Sequence, residues 1–236
     1  MQESSDEHLY SFKADYPQVS SEDSPANDRI NQEITTFITR LLQTFRSEAI
    51  ARTTEKHGIM KVMSRSLAWD DLSISYNVSL FTPHLFSVEF RLQSYFAMAV
   101  HPNTTTRTLN FRINPPMQLE LKDIFKISSN FLELLAQFCV SDLHNQQPLR
   151  FYDPKKRAEE LKNKQDEWIL SGAAPKLDNY ERFVFAKGGM RVFFDPYQVG
   201  SYAEGRYEVF VPVEVLLPAL KESIAALLVS PPSSIH

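Results

Sequence analysis

The 236-residue sequence has one cysteine, no surplus of basic charge and no apolar run long enough to span a bilayer. Each scarcity removes a class of protein. Cys139 alone excludes an intrachain disulfide and a cysteine-based zinc site. Its place on an apolar helix face reads as a buried, inert thiol. A formal net charge of −4 gives no general attraction to nucleic acid or to an anionic membrane. The opening Met1-Gln-Glu-Ser-Ser-Asp-Glu is the opposite of a signal peptide, which needs a basic start and an apolar core. No G-x-S-x-G, H-E-x-x-H, G-x-x-x-x-G-K-[ST] or G-x-G-x-x-G string occurs, so the sequence carries no positive sign of an enzyme. The six histidines are scattered, with His57, His84, His101 and His144 in different predicted turns or helix ends. No metal site and no cofactor is expected.

What is present is a folded chain, 43% hydrophobic and 12% aromatic, long enough to build a core without covalent staples. The residues before Leu9 are polar and expected to be loosely ordered. Leu9 to Val19 reads as a strand ending at Tyr16-Pro17, followed by an acidic, serine-rich linker from Ser20 to Asp23. Ser24 and Pro25 suit an N-cap and first helical position, and Ile30, Ile34, Phe37, Leu41 and Phe45 recur on one face for about five turns. Gln32, Glu33, Arg40 and Gln43 form its solvated side. From Trp69 the period becomes two: Leu72, Ile74, Tyr76, Val78 and Leu80 alternate with polar residues. After the turn Thr82-Pro83-His84 come Phe86, Val88, Phe90 and Leu92, which predicts a long hairpin with Ser87, Glu89, Arg91 and Gln93 on a wet face. Thr104 to Ile113 continues the sheet.

Asn114-Pro115-Pro116 is the clearest break, and the domain boundary is placed there. The expected architecture is α+β in two subdomains, 8–116 and 117–229, each a mainly antiparallel sheet packed against helices. In the second, Leu119 to Phe125 reads as a short strand entering a helical turn. Ser128 or Ser129 caps a helix carrying Phe131, Leu134, Leu135, Phe138 and Cys139, and Asp153-Pro154 starts a largely polar helix pinned at its end by Trp168, Ile169 and Leu170. Lys187-Gly188-Gly189 makes a hairpin turn. The densest pattern lies between Arg191 and Leu220: an apolar strand to Phe194, a loop with Gly200 and Gly205, a strand through Tyr207, Val209 and Val211, then a leucine-rich helix. Phe210 spoils the polar face of that last strand, so both its faces are expected to be covered. Pro218 fits the final helix only within its first turn.

Phe194, Tyr197, Val199, Tyr202, Ala203 and Gly205, followed by V-x-V-P and the leucine-rich helix, resemble a family of bacterial envelope domains. That family includes the extracytoplasmic domain of RsiV-type lysozyme-sensing anti-sigma factors and the region preceding the catalytic domain in some peptidoglycan deacetylases. His101-Pro102-Asn103 and Leu119 to Phe125 match as well, as does Tyr16-Pro17 with the helix after it. The ordered set covers residues from about 10 to 228. One departure is that Ala97, Met98 and Ala99 stand where small residues, often glycine, precede the histidine.

The resemblance implies an extracytoplasmic module, in the periplasm or at the cell surface, with an export signal or anchor outside this chain. It implies a lysozyme-like protein or a cell-wall polymer such as peptidoglycan as partner. A non-catalytic monomer is the expectation. Candidate binding residues are Tyr197, Tyr202, Glu204, His101 and Asn103: two tyrosines beside glycines present a rigid amphipathic surface, or else brace the loop under the final helix. His101 either orients a polar ligand or closes a local turn. Asp195, Glu204 and Glu208 make the loop acidic, which favours a basic partner. The competing reading is an envelope glycan hydrolase or transferase with His101, Asp195 and Glu204 as acid/base groups.

Overall fold

A computed structural model describes residues 1–20, 25–62, 68–150 and 166–229. The chain is α+β, with two sheets among the described residues. Strands β1 (Gln2–Ser5), β2 (Tyr10–Ala14), β3 (Asp70–Phe81), β4 (Leu85–Tyr95), β5 (Asn103–Arg112) and β6 (Met117–Gln118) form a six-stranded sheet in that order. It is mostly antiparallel, with β2 and β3 running parallel. Strands β7 (Phe183–Ala186), β8 (Gly189–Phe194) and β9 (Tyr207–Pro212) form an antiparallel three-stranded sheet. Two compact units divide the chain, the first comprising Met1–Asn77 and Phe90–Arg107, the second Val78–Glu89 and the chain from Thr108.

In the first unit, helix α1 (Pro25–Ala51) buries Ile30, Ile34, Ile38, Leu42, Phe45 and Ala49, a strict every-fourth-residue stripe with one step of three. Phe37 and Leu41, expected on the buried face, are only half-buried because the stripe turns towards Ile38 and Leu42. Ser24, the expected cap, lies outside the described residues, as does most of the acidic linker. The polar N-terminus is ordered rather than loose. β1 pairs with β2, and Glu3 accepts a hydrogen bond from the Tyr10 hydroxyl while meeting Arg46 of α1 at 2.8 Å. A following helix, α2 (Thr53–Val62), has no strong apolar period and was not legible in the sequence.

Under α2 lies the most buried polar cluster of the unit. Lys56 and Asp70 are both 0% exposed, with Nζ 2.8 Å from Oδ2. Lys56 also donates to the Leu9 carbonyl at 3.2 Å, and Asp70 Oδ1 accepts the Ala97 N–H at 2.7 Å. Arg52 adds a longer contact to Asp70 at 3.5 Å and donates to the Ala97 carbonyl at 3.1 Å. Burying two charges is tolerated only when each finds such partners.

In the second unit, the core gathers Leu85, Leu119, Ile124, Phe125, Leu135, Cys139 and Leu143 with the inner faces of β7, β8 and β9. Helices α3 (Leu121–Ile124) and α4 (Phe131–Arg150) follow β6. Ser129 does not cap α4: its hydroxyl donates to the Lys126 carbonyl at 2.6 Å, and the helix begins after Asn130. The polar helix expected from Asp153-Pro154 lies outside the described residues. Residues 166–172, here α5, are helical, but only Ile169 of its expected apolar anchors is buried. The Lys187–Gly189 hairpin forms as the glycines dictate, with Gly188 at φ +80°.

Three further expectations fail. Ser87 and Glu89 of β4 are buried instead of wet. The Ser87 hydroxyl donates to Asn110 Oδ1 at 2.8 Å, and the Phe185 N–H of β7 points at both oxygens at 3.3 Å, while Asn110 Nδ2 donates to the Phe183 carbonyl at 2.9 Å. Glu89 meets Arg206 at 2.6 Å. Phe210 is exposed, so β9 keeps one open face. The final helix is two, α6 (Val213–Leu216) and α7 (Glu222–Val229), because Pro218 interrupts the pattern and Leu220 instead bridges to Phe125.

Cys139 is fully buried, and burial, with Asp142 nearby, pushes its thiol above its ordinary 9.0. The unfolded thiol ionises near that ordinary value while the folded one keeps its proton. This contribution to stability is therefore complete below about pH 9 and falls as pH rises further, by about 1.4 kcal/mol per unit. Tyr180, also raised by burial and donating to the Ala173 carbonyl at 2.5 Å, acts in the same direction above its ordinary 10.0. Urea titrations between pH 8.5 and 10.5 are expected to show this decline, and a Cys139→Val variant a shallower one. A flat profile in the parent would contradict the burial argument.

Candidate binding site

The loop from Asp195 to Gly205 connects β8 to β9 and is held from beneath. Arg182 lies 3.6 Å from Asp195 and donates to Gln198 Oε1 at 2.5 Å. Gln198 in turn donates to the carbonyls of Gly172, at 3.0 Å, and Asn179, at 3.3 Å. α5 is close enough that a Cβ on Gly172 would stand 1.8 Å from the Gln198 oxygen. The loop therefore packs directly on backbone and has little room to shift.

At its tip, Tyr197 is 59% exposed and adopts φ +72°, a conformation uncommon for bulky residues. Tyr202, at the start of a 3-10 turn (Tyr202–Glu204), places its ring 5.7 Å from that of Tyr197 at 32°. Glu204 is occupied. Its Oε1 accepts the Ser201 N–H at 2.8 Å and hydroxyl at 2.7 Å, and its Oε2 accepts the Tyr207 hydroxyl at 2.6 Å. This is a capping box that ends the loop, not a free carboxylate.

Gly205 closes the turn at φ +73° and ψ −158°, a region essentially confined to glycine although the space around it is open. Gly205→Ala is expected to cost about 1–3 kcal/mol through backbone strain alone. Differential scanning calorimetry checks it, and an unchanged melting temperature would show that the turn relaxes.

The other sequence-predicted residues belong to the first unit. His101 Nδ1 lies 3.0 Å from the Pro102 carbonyl, and Asn103 is the exposed first residue of β5. The departure beside them has a structural counterpart: Met98 takes φ +66°, which a glycine adopts without strain. Asp70 and Arg52 hold this turn through Ala97. The structure thus joins Tyr197, Tyr202 and Glu204 in one loop. Sequence reasoning missed the residues that position these segments, Arg182, Gln198 and Gly172 in one unit and Asp70 and Arg52 in the other.

The acidity expected of the loop region is largely offset. Asp195 faces Arg182, and Glu208 faces Arg191 at 3.4 Å and Arg206 at 3.6 Å. Arg206 also stacks over Phe193, 4.5 Å from the ring centre. Among the described residues, no three His, Cys, Asp or Glu side chains gather as a metal site, and no helix is long and apolar enough to cross a membrane.

Comparison with known proteins places these features. The chain is 23% identical over 153 residues to the peptidoglycan-N-acetylmuramic acid deacetylase PdaC of Bacillus subtilis strain 168. That match covers 65% of this chain and 30% of the deacetylase, so the chain spans under a third of that relative. Two crystal structures share the fold. A DUF3298-family protein of Bacteroides fragilis NCTC 9343 superposes with a TM-score of 0.63 at 18% identity, over 94% of this chain and 88% of that one. A DUF3298-family protein of Pseudomonas aeruginosa PAO1 gives 0.53 at 13% identity, over 91% and 86%. The family model described as "Protein of unknown function (DUF3298)" matches residues 122–214, which include the strands β7 and β8, the tyrosine loop and β9. Over residues 122–214, under half of its length, the chain is thus similar to the DUF3298 family.

Proposed function

We propose that this chain is a non-catalytic, extracytoplasmic binding module that recognises cell-wall glycan through the loop at Tyr197 and Tyr202. The observation that carries the reading is an aromatic side chain held exposed on left-handed backbone in a loop otherwise fixed by Arg182, Gln198 and Gly172. Strain of this kind persists only where surrounding structure enforces it, and a pre-ordered aromatic loses little entropy on binding. Two tilted rings 5.7 Å apart suit the apolar face of a sugar. The similarity to part of a peptidoglycan deacetylase agrees with a wall ligand. A lysozyme-like protein fits less well, because the carboxylates near the loop already face arginines or the loop itself. A hydrolytic role for Glu204 has the same difficulty, since both its oxygens accept hydrogen bonds within the structure.

Calorimetry with soluble peptidoglycan fragments, and separately with lysozyme, tests the reading. The parent chain is expected to bind the fragments. The Tyr197→Ala, Tyr202→Ala double variant is expected to fold and to bind at least about tenfold more weakly, as loss of an aromatic contact of 1–3 kcal/mol implies. A folded double variant that binds as well as the parent would make the loop structural, and heat with lysozyme alone would shift the partner to a protein.

A further inference from the structure

A concavity formed wholly within the second unit lies apart from the tyrosine loop. It holds about 260 Å³ and opens between β5, the segment from β6 into α3, and the approach to β7. Leu119, Leu121 and Phe183 give it an apolar base, each nearly inaccessible to solvent. Gln118, Glu181 and Leu177 are also among its lining residues.

The polar groups there differ in what they have left to offer. Asn110, also in the lining, already accepts from Ser87 and Phe185 on its oxygen and donates one N–H to the Phe183 carbonyl. Lys122 is paired with Glu120 at 2.7 Å. The side chains of Gln118 and Glu181 have no hydrogen bond or ion pair among the described residues. The cleft therefore offers one acceptor-only carboxylate and one amide that both donates and accepts, above an apolar floor.

That set selects a ligand class. An anion is opposed by Glu181, while the nearby ammonium of Lys122 is paired with Glu120. A metal ion would lack the convergent ligands it needs. The groups match a neutral ligand with a secondary amide beside a methyl group: its N–H to Glu181, its carbonyl to the Gln118 amide, its methyl on the leucine and phenylalanine floor. The volume falls below the roughly 300–1,000 Å³ of sites for drug-sized ligands, which leaves room for one ring and its substituent.

We infer that this cleft is a subsite for a single N-acetylated hexosamine unit. The inference rests on the reading of the chain as a wall-glycan binder and adds a contact that the tyrosine loop does not supply.

The test is titration of the isotope-labelled chain with N-acetylglucosamine, followed by nuclear magnetic resonance, to about 50 mM, enough to saturate a millimolar Kd. Saturable shifts are expected at the backbone amides of Thr108, Gln118 and Leu177. Glu181→Ala and Gln118→Ala should each weaken binding about tenfold without lowering the melting temperature, because both side chains are exposed and unengaged. Glucose, which lacks the acetamido group, should give no saturable shift in the cleft. N-acetylalanine methylamide carries the same amide on a peptide, and an equal or stronger response to it would overturn the sugar assignment. So would silence with N-acetylglucosamine, or full binding by both cleft variants. The Tyr197→Ala, Tyr202→Ala variant separates the two readings. Loss of polymer binding in that variant beside a silent cleft removes the subsite and leaves the loop. Intact cleft shifts in a variant that still binds polymer remove the loop and leave the subsite.

Discussion

Asp70→Ala is expected to lower stability by roughly 3–5 kcal/mol, the range for removing one partner of a buried ion pair. Asp70 and Lys56 have no access to water, so deleting the carboxylate strands an ammonium whose remaining bond is to the Leu9 carbonyl at 3.2 Å. The Ala97 N–H loses its acceptor and Arg52 one of its contacts. A Lys56→Met, Asp70→Leu double variant should recover part of the loss, since paired charges replaced by apolar groups of similar volume are often near neutral. The part not recovered measures what Asp70 does for the Ala97 turn. Urea denaturation of the parent, Asp70→Ala and the double variant decides it. A loss below about 1 kcal/mol for Asp70→Ala, the value of an exposed pair, would mean that water reaches the site.

Gly172→Ala is expected to be at least as disruptive locally, for a steric reason. The new Cβ would sit 1.8 Å from the Gln198 oxygen, 2.6 Å from the Gln198 carbonyl carbon and 3.0 Å from a Val199 methyl. Two of these atoms are backbone and cannot rotate away, so α5 and the tyrosine loop must separate. Overpacking in well-packed regions costs about 1–3 kcal/mol and more where backbone blocks relief. A fall in melting temperature of roughly 6–12 °C is the expected size for 3 kcal/mol in a domain of this length. Because Gly172 supports Tyr197 without touching a ligand, the variant should also bind wall fragments more weakly at temperatures where it remains folded. Unchanged stability together with unchanged binding would show that the loop is not held by this contact.

Much of the fold was legible where one physical rule acted alone. Helix α1, the β3–β4 hairpin and the glycine turn between β7 and β8 follow from period and turn chemistry. What escaped was the meaning of polar residues inside those patterns. Alternation marks Ser87 and Glu89 as wet, and nothing local reveals that Asn110 and Arg206, 23 and 117 residues away, meet them. Asp70 did leave a trace: it stands two and four residues before Leu72 and Ile74, in phase with the inward face of β3. An acidic residue in phase with a buried face calls for a basic partner, and Lys56 is the one the fold supplies. Of the candidate site, the aromatic loop and its glycine were visible as a pattern, because glycine and tyrosine declare themselves. The braces beneath the loop were not, since Arg182, Gln198 and Gly172 come together only through tertiary contact.

The bonds from Asn110 and Ser87 to β7 have one more effect. β7 is an outer strand of its sheet, and an outer strand ordinarily offers free amide and carbonyl groups to any extended chain it meets. Here the carboxamide of Asn110 donates an N–H to the Phe183 carbonyl and accepts the Phe185 N–H on its oxygen, as a neighbouring peptide group would. A single side chain thus stands in for a fourth strand, and a stretch as apolar as Phe-Val-Phe-Ala is closed to pairing with other copies. Replacing Asn110 with leucine would reopen that edge, so its first symptom in a concentrated sample would be clouding on warming, ahead of any change in ligand binding.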